Sequence, residues 1–499
     1  MSTTLENSIN IKRNLSMLTD FYQLTMGNGY LKKGMRDRVA YFDMFFRRIP
    51  DDGGYVVIAG LEQLIEYINN LRFSEEDIEF LRKRGIFPEE FLRYLKDFKF
   101  QCDIWAIPEG TVVFPNEPII TVRGPLPQAQ LIETMLLLTI NHQSLIATKA
   151  SRIVRVAKGR EVLEFGSRRA QGYDGALLGA RAAYIGGCVG TACTMVEEVY
   201  GIPSVGTMAH SWIQSFDNEY EAFKAYAEVY PTSSVLLVDT YNTLKSGVPN
   251  AIRVAKEILE PNGNRLKGIR LDSGDIAYLS KCARRMLDEA GMKDCKITAS
   301  NSLDEYLIKD LLLQGAEIDT FGVGENLITS KSNPVFGGVY KLVAIENNNK
   351  LDSKIKLSEN PEKVTNPGFK KLYRFYDKKT NKAVGDLLTL NDEEIDESNP
   401  YILFDPVHTW KKTILTDYYV KELQVKIFER GQCIYSSPNI KEIRNHCKKE
   451  LENLWEESLR LKNPHNYYVD LSEKLWTLKY DLINKYSNEV VNVDKEIKC

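Results

Sequence analysis

The spacing of apolar positions changes character twice along the chain. Over residues 1–150, apolar residues recur every three or four places in EQLIEYINNL and SEEDIEFLRKR, whereas VAYFDMFFR (39–47), CDIWAIP and PIITVRG are β-rich runs bounded by Pro and Gly. That mixture predicts an α+β unit. From 151 to 345 the texture becomes a repeating alternation of short β-rich runs, polar or glycine-rich corners and helical segments. The runs are EVLEFG (161–166), PSVGTM (203–208), SVLLVDT (234–240), KGIRLDSGD (267–275), KITASNS (296–302), IDTFGVG (318–324) and GGVYKLVAI (337–345). Between them NEYEAFKAYAEVY, VPNAIRVAKEIL, IAYLSKCARRMLDEAG and LDEYLIKDLLLQG carry the helical period. Strand then helix, repeated with short loops, predicts parallel strands joined by crossover helices. Six or seven short strands suit an irregular, TIM-like α/β barrel better than an open dinucleotide-binding sheet. No GxGxxG follows the first strand, which counts against the open sheet too. Residues 346–499 turn to loops and strands and then to an amphipathic, charge-rich helix, IKEIRNHCKKELENLWEESLRL (440–461), expected to present a solvated face while docked on the rest.

Composition narrows the class without changing the picture. A chain of 499 residues exceeds one ordinary core, and 43% hydrophobic with 27% charged residues is the balance of a globular protein. With 65 Lys plus Arg against 68 Asp plus Glu, the net charge of -3 offers no general field for nucleic acid. The longest greasy stretch, LIETMLLLTI (131–140), is broken by Glu133 and Thr134, so no membrane span is expected. The start MSTTLENSINIKRN lacks an apolar signal core. Eight scattered cysteines with no CxxC read as free thiols in a reducing compartment, and the expectation is a cytoplasmic protein.

In a barrel the reactive groups sit at the C-terminal ends of the strands. The corners there read FGSRRAQG, GTMAHSW, VDTYNT, RLDSGD, ASNSLDE and FGVGEN, each with a charge, hydroxyl or amide beside a small residue. Taken singly each has an ordinary explanation. Arg168 and Arg169 can pair with surface carboxylates, Asp272 and Asp275 can cap a helix, FGVG can be a tight turn, and His210 can be a hydrogen-bonded structural histidine. Six polar corners on successive strand ends shift the balance toward a ligand. Gly322, Gly324 and the amides near Asn301 and Ser302 can cradle a phosphate through backbone N–H groups. Asp239 and Asp272 can hold ribose hydroxyls or Mg²⁺, and two adjacent arginines supply forked donors for a carboxylate or a diphosphate. A phosphorylated sugar with a second anionic partner fits.

LTDFYQLTMGNGY (18–30), EFGSRRAQG, GTMAHS, VDTYNTL, RLDSGD, ASNSLDE and FGVGENLIT, in this order, resemble the nicotinate phosphoribosyltransferases over nearly the whole chain. The resemblance implies a type II phosphoribosyltransferase fold: an N-terminal α/β sandwich domain, an irregular α/β barrel, a C-terminal segment packing on both, and a homodimer with shared active sites. It implies that nicotinate, phosphoribosyl diphosphate, ATP and water give nicotinate mononucleotide, diphosphate, ADP and phosphate, with Mg²⁺ as cofactor. By the same resemblance His210, followed by Ser211, is the residue transiently phosphorylated by ATP. Tyr22 reaches across the dimer to stack on the pyridine ring, with Phe165 on its other face. Arg168 and Arg169 serve the diphosphate and the nicotinate carboxylate, Arg270 and Asp272 contact ribose and diphosphate, and Asp239 is a magnesium contact. Two departures stand out: many relatives have threonine after GVG and aspartate inside ASND, where this chain has Glu325 and Ser302. A glutamate beside a phosphate repels it unless it points away or holds a cation. A nicotinamide-using enzyme would share the barrel and the histidine but need no second arginine; a silent barrel used as a binding module is the alternative of a different class.

Overall fold

The computed structural model describes residues 14–348 and 350–487. The described residues group by their contacts into two compact units, one within 1–144, 335–439 and 445–499, the other 145–334 and 440–444. The division at 150 and 345 therefore comes out differently, because the part after 345 is not a separate extension. Its strands complete sheets of the first unit.

In the first unit Val39–Phe46, Asp103–Ala106 and Ile120–Pro125 form the strands expected from the sequence. They lie in a seven-stranded antiparallel sheet with Gly338–Asn347, Lys350–Ser353, Val425–Glu429 and Gln432–Cys433. The run 337–345, expected as the last parallel strand of the barrel, is instead the antiparallel partner of Val39–Phe46, with Met44 opposite Tyr340 and Phe45 opposite Val339. An apolar run says that a strand is buried and leaves its partner open. The helices Leu61–Asn69 and Glu75–Lys83 match their periodicity, and Ser74 with Asp77 forms a capping box at the start of the second. The amphipathic helix begins at Ile440 as expected but ends at Glu452, nine residues early, where the chain winds down through turns at Asn453 and Leu454.

The second unit is built on six parallel strands: β1 (Glu161–Glu164), β2 (Gly190–Thr191), β3 (Val235–Leu237), β4 (Gly268–Leu271), β5 (Lys296–Ser300) and β6 (Thr320–Val323), in the order β2-β1-β6-β5-β4-β3. Crossover helices run where their periodicity lies, at Glu219–Val229, Ile276–Glu289 and Glu305–Leu313, capped by Asn218, Asp275 and Asp304. One face of the sheet is covered by helices: Leu236, Ile269, Leu271 and Ile297, which register onto the same side, pack with Phe223, Val254 and Leu287. Two details depart from the sequence reading. Pro203–Met208 forms no strand, only a single parallel bridge from Ser204 to Thr191, and β2 occupies the place beside β1. The ladder of strands ends at β2 and at β3, and among the described residues no hydrogen-bonded pair of strands closes it into a TIM-like ring.

Among the described residues no helix is long and apolar enough to cross a membrane. The seven described cysteines are all free thiols.

Candidate active site

The C-terminal ends of five of the six strands open onto one polar cleft of about 440 Å³. From β1 come Phe165, Ser167, Arg168 and Arg169, from β4 Asp272, from β5 Asn301 and Ser302, and from β6 Gly324 to Asn326, with Arg270, Ser300 and Gly322 at the ends of the strands themselves. The parallel arrangement explains the convergence: every strand points the same way, so every corner after a strand lands on the same rim.

The two arginines sit in a short 3₁₀ turn, Ser167–Arg169, closed by the Arg169 N–H donating to the Gly166 carbonyl at 2.7 Å. Both side chains are exposed, and no ion pair ties down either guanidinium among the described residues. Beside them the Ser167 hydroxyl is buried with no hydrogen-bond partner. Phe165 lies partly buried under the Arg270 guanidinium, 5.5 Å from its ring centre. Gly322 makes room for that ring, since a Cβ there would stand 2.4 Å from it.

Arg270, Ser300 and Asp272 form one network. Arg270 donates from Nε to Ser300 Oγ at 2.9 Å and from Nη2 to Asp272 Oδ1 at 3.1 Å, and the Ser300 hydroxyl also donates to Asp272 Oδ1. Asp239 supports it from the corner after β3: its Oδ2 accepts the Asp272 N–H at 3.0 Å and the Ser273 hydroxyl at 2.5 Å. The other oxygen, Oδ1, is buried without a partner. Of the two aspartates weighed as helix caps, Asp275 is the cap, accepting the Tyr278 N–H, and Asp272 is not.

His210 opens the short helix His210–Gln214, so the turn expected at GTMAHSW is present although no strand precedes it. Its Nδ1 lies 3.1 Å from Thr240 Oγ1 and its Nε2 lies 3.8 Å from Asp272 Oδ2, too far for a hydrogen bond. In the tautomer that donates Nδ1–H to Thr240, Nε2 carries the lone pair. The ring is 41% exposed, and neighbouring Ser211 is exposed as well.

Asn301 and Ser302 both have left-handed backbones, φ 89° and 49°. Consecutive positive φ without glycine is strained and marks a corner over-determined by its surroundings. Asn326 holds it by donating from Nδ2 to the carbonyls of Ser302 and Leu303 at 2.9 and 3.1 Å. Glu325, the departure that raised the question of repulsion, holds a cation: Lys331 Nζ lies 2.7 Å away and keeps the carboxyl below the usual glutamate range.

Tyr22 belongs to the other unit, on the helix Phe21–Lys32. It is 48% exposed, and its hydroxyl donates to Glu133 Oε2 at 3.4 Å. Sequence reasoning missed Glu164, Ser300, Thr240 and Lys331. All but Lys331 lie inside the quoted runs, where one polar residue near a strand end gives no sign of which way its side chain points.

For magnesium, the donor set is small. No group of three or more His, Cys, Asp or Glu side chains suited to a metal occurs among the described residues. Asp239 with its orphaned buried oxygen, near Asp272, fits an ion that keeps most of its waters and shares the rest of its shell with phosphate.

Three family models match the chain in order: the nicotinate phosphoribosyltransferase N-terminal domain over residues 17–141, the nicotinate phosphoribosyltransferase family over 161–384, and the nicotinate phosphoribosyltransferase C-terminal domain over 369–479. The nicotinate phosphoribosyltransferase of Bacillus subtilis (strain 168) is 47% identical over 478 residues, covering 95% of this chain and 96% of that one. That of Dictyostelium discoideum is 36% identical over 524 residues, covering 93% and 88%. The crystal structure of human nicotinic acid phosphoribosyltransferase superposes with a TM-score of 0.83 at 29% identity, over 93% of this chain and 99% of that one.

Proposed function

This chain belongs to the nicotinate phosphoribosyltransferase family, and from that premise we propose that it joins nicotinate to phosphoribosyl diphosphate in an ATP-coupled step of NAD salvage. One observation carries the reading: a free arginine pair and a tied Arg270–Ser300–Asp272 network line one polar cleft, and His210 Nε2 lies 3.8 Å from Asp272 Oδ2.

The reaction is a displacement at the anomeric carbon. The pyridine nitrogen forms the new C–N bond as the C–O bond to diphosphate breaks, and the leaving electron pair goes to diphosphate. Positive charge spreads over the ribose ring in between, so positioning and fixed charge dominate catalysis. Phe165 offers a stacking face for the pyridine. Arg168 and Arg169 supply forked donors for the nicotinate carboxylate and the diphosphate, and Arg270 faces the developing phosphate charge while Asp272 receives ribose hydroxyls. The corners at Asn301, Ser302 and Gly324 form the phosphate side of the cleft, with Gly322 serving to seat Phe165. Asp239, through Oδ1, and Asp272 are the residues that would hold magnesium, whose charge, when bound, offsets that of the diphosphate.

ATP enters through His210. Its Nε2 takes the γ-phosphoryl group as the bond to ADP breaks, and water later returns the group as phosphate. Ser211 stands beside the transferred group. We read the sheet as an irregular barrel: Met208 packs in the same core as Leu236 and Val238, and His210 meets Thr240, so side chains bridge the gap beyond β3 where no ladder does. We also read the assembly as a homodimer, in which Tyr22, exposed on its own unit, completes the partner's pyridine site.

The test is labelling with ATP carrying a marked γ-phosphate. Wild type should retain acid-labile, base-stable label, and His210→Asn should lose it while staying folded and keeping at most slow, ATP-independent synthesis. Mixed with Tyr22→Ala under conditions that exchange subunits, His210→Asn should regain activity in hybrids holding one intact site. Label retained in His210→Asn removes the phosphohistidine, and no recovery after verified exchange removes the shared site.

A further inference from the structure

We infer that Glu164, the last residue of β1, is a positioning residue that ties the arginine turn to the neighbouring corner after β2. The inference rests on the reading of Arg168 and Arg169 as partners of the substrate's anionic groups, and goes beyond it by naming what holds them in place.

Glu164 is fully buried. One carboxylate oxygen accepts the Gly166 N–H, and the other accepts the Thr191 hydroxyl at 2.7 Å. Thr191 Oγ1 in turn accepts the Cys193 N–H at 3.1 Å, and the Glu164 carbonyl accepts the Ala192 N–H at 2.8 Å. On the other side the Gly166 carbonyl closes the turn of Ser167–Arg169. A continuous path of hydrogen bonds therefore runs from the chain at 191–193, whose Ala192 lines the cleft, through one carboxylate to the residue from which the arginines project. Gly166 is part of the device, because a Cβ there would meet Ile328 at 2.5 Å and the Glu164 carboxylate at 2.8 Å.

A requirement of the fold alone does not account for this choice of residue. No Lys, Arg or His pairs with Glu164 among the described residues, so the site buries a charge held only by an amide, a hydroxyl and their dipoles. Such burial is costly. Val162, the other inward residue of the same short strand with its neighbour Leu163, shows that apolar side chains serve the packing there. What the carboxylate adds is two acceptors aimed in different directions, and these join the two neighbouring corners.

The test uses Glu164→Ala, Glu164→Gln and Thr191→Val in the full-length enzyme, with kcat/KM measured for nicotinate and for nicotinamide. The ratio of the two reads how well the arginine turn is placed. Glu164→Ala and Thr191→Val should each lower that ratio about tenfold, the scale of a lost hydrogen bond to a charged group. Glu164→Gln should recover part of it, since its amide oxygen can still accept the Gly166 N–H and its amide nitrogen can donate to Thr191. Thermal midpoints confirm that each variant folds; if Glu164→Ala does not, Thr191→Val carries the test, because it keeps shape and charge. An unchanged ratio in the folded variants overturns the inference. So does an equal loss with both substrates, which assigns Glu164 to general stability. Arg168→Ala and Arg169→Ala, run alongside, separate the two claims: if they leave the ratio unchanged, the arginine reading has failed rather than the positioning role.

Discussion

Arg374 and Arg169 carry the same guanidinium in opposite surroundings. Arg374, in the first unit, is 1% exposed and meets Asp386 from Nε and Nη2 at 2.9 and 2.6 Å and Glu450 from Nη1 at 3.2 Å. Phe114 and Tyr467, stacked at 3.7 Å, lie beneath it, and the Tyr467 hydroxyl donates to Asp386 at 2.8 Å. Arg169 stands exposed at the rim of a cleft with no ion pair among the described residues. A buried charge met by carboxylates at all three of its nitrogens has its partners within the chain, whereas an exposed one, in the same turn as the orphaned Ser167 hydroxyl, is arranged for a partner that arrives from outside.

The comparison breaks most visibly at Arg374. Arg374→Met should cost about 3–5 kcal/mol of stability, because Asp386 and Glu450 are left as buried charges without their cation. Denaturant unfolding measures it, and the double change with Asp386→Leu should recover much of the loss, since an apolar pair can replace a buried ion pair. A loss below about 1 kcal/mol would mean that water reaches the network and that the two arginines differ less than their surroundings suggest.

At Arg169 stability should hold and function should fall. Arg169→Ala removes one charge-assisted contact to an anionic group, worth about 1.5–3 kcal/mol or about tenfold to a hundredfold in kcat/KM for nicotinate. The thermal midpoint should stay close to that of wild type, because an exposed side chain without a protein partner contributes little. If Arg169→Ala unfolds the protein and leaves kcat/KM intact, the contrast with Arg374 is reversed.

How far the sequence carries depends on which of these two kinds of structure is asked about. The corners after the parallel strands were legible as a cleft because their spacing along the chain, strand by strand, is enough to align them; Phe165, Arg168, Arg270, Asp272, Asn301 and Gly324 all line it. The Arg374 network was not legible, since it joins residues 12 and 76 positions apart through sheet pairing and packing that no local pattern records. The same blindness sent 337–345 to the barrel: its apolar run fits either sheet, and only the pairing of Tyr340 with Met44, nearly 300 residues away, decides. Pro203–Met208 failed in the other direction, where a plausible β pattern holds a single bridge because the chain leaves β2 for the helix at His210. Glu164 is the intermediate case, visible as a charge in EVLEFG and unreadable as an acceptor for two neighbouring corners until Thr191 lies beside it.

The smallest effect expected is also the one in which activity and stability part. Burial is the main influence on Glu164 and raises its carboxyl above the ordinary glutamate value of 4.5, against the lowering by Thr191 and Gly166. Cys188, the buried thiol that feels this charge, is pushed up by burial as well and stays protonated through the acid range. Because the folded protein takes up the Glu164 proton before the unfolded chain does, this group's favourable contribution to stability is complete below about pH 4.5 and is lost as the pH rises through the raised folded value. Function follows the opposite sign. A protonated Glu164 has one acceptor fewer for Gly166 and Thr191, so selection of nicotinate over nicotinamide should weaken, by less than about tenfold, as the pH falls through that same value. The substrate's own carboxylate also titrates in acid, so the informative quantity is the difference between wild type and Glu164→Gln: the extra acid limb should be present in the first and missing from the second, while the stability of wild type relative to Glu164→Gln rises over the same interval. Identical limbs in the two proteins would show that Glu164 keeps its charge, or that its two hydrogen bonds do not reach the arginines.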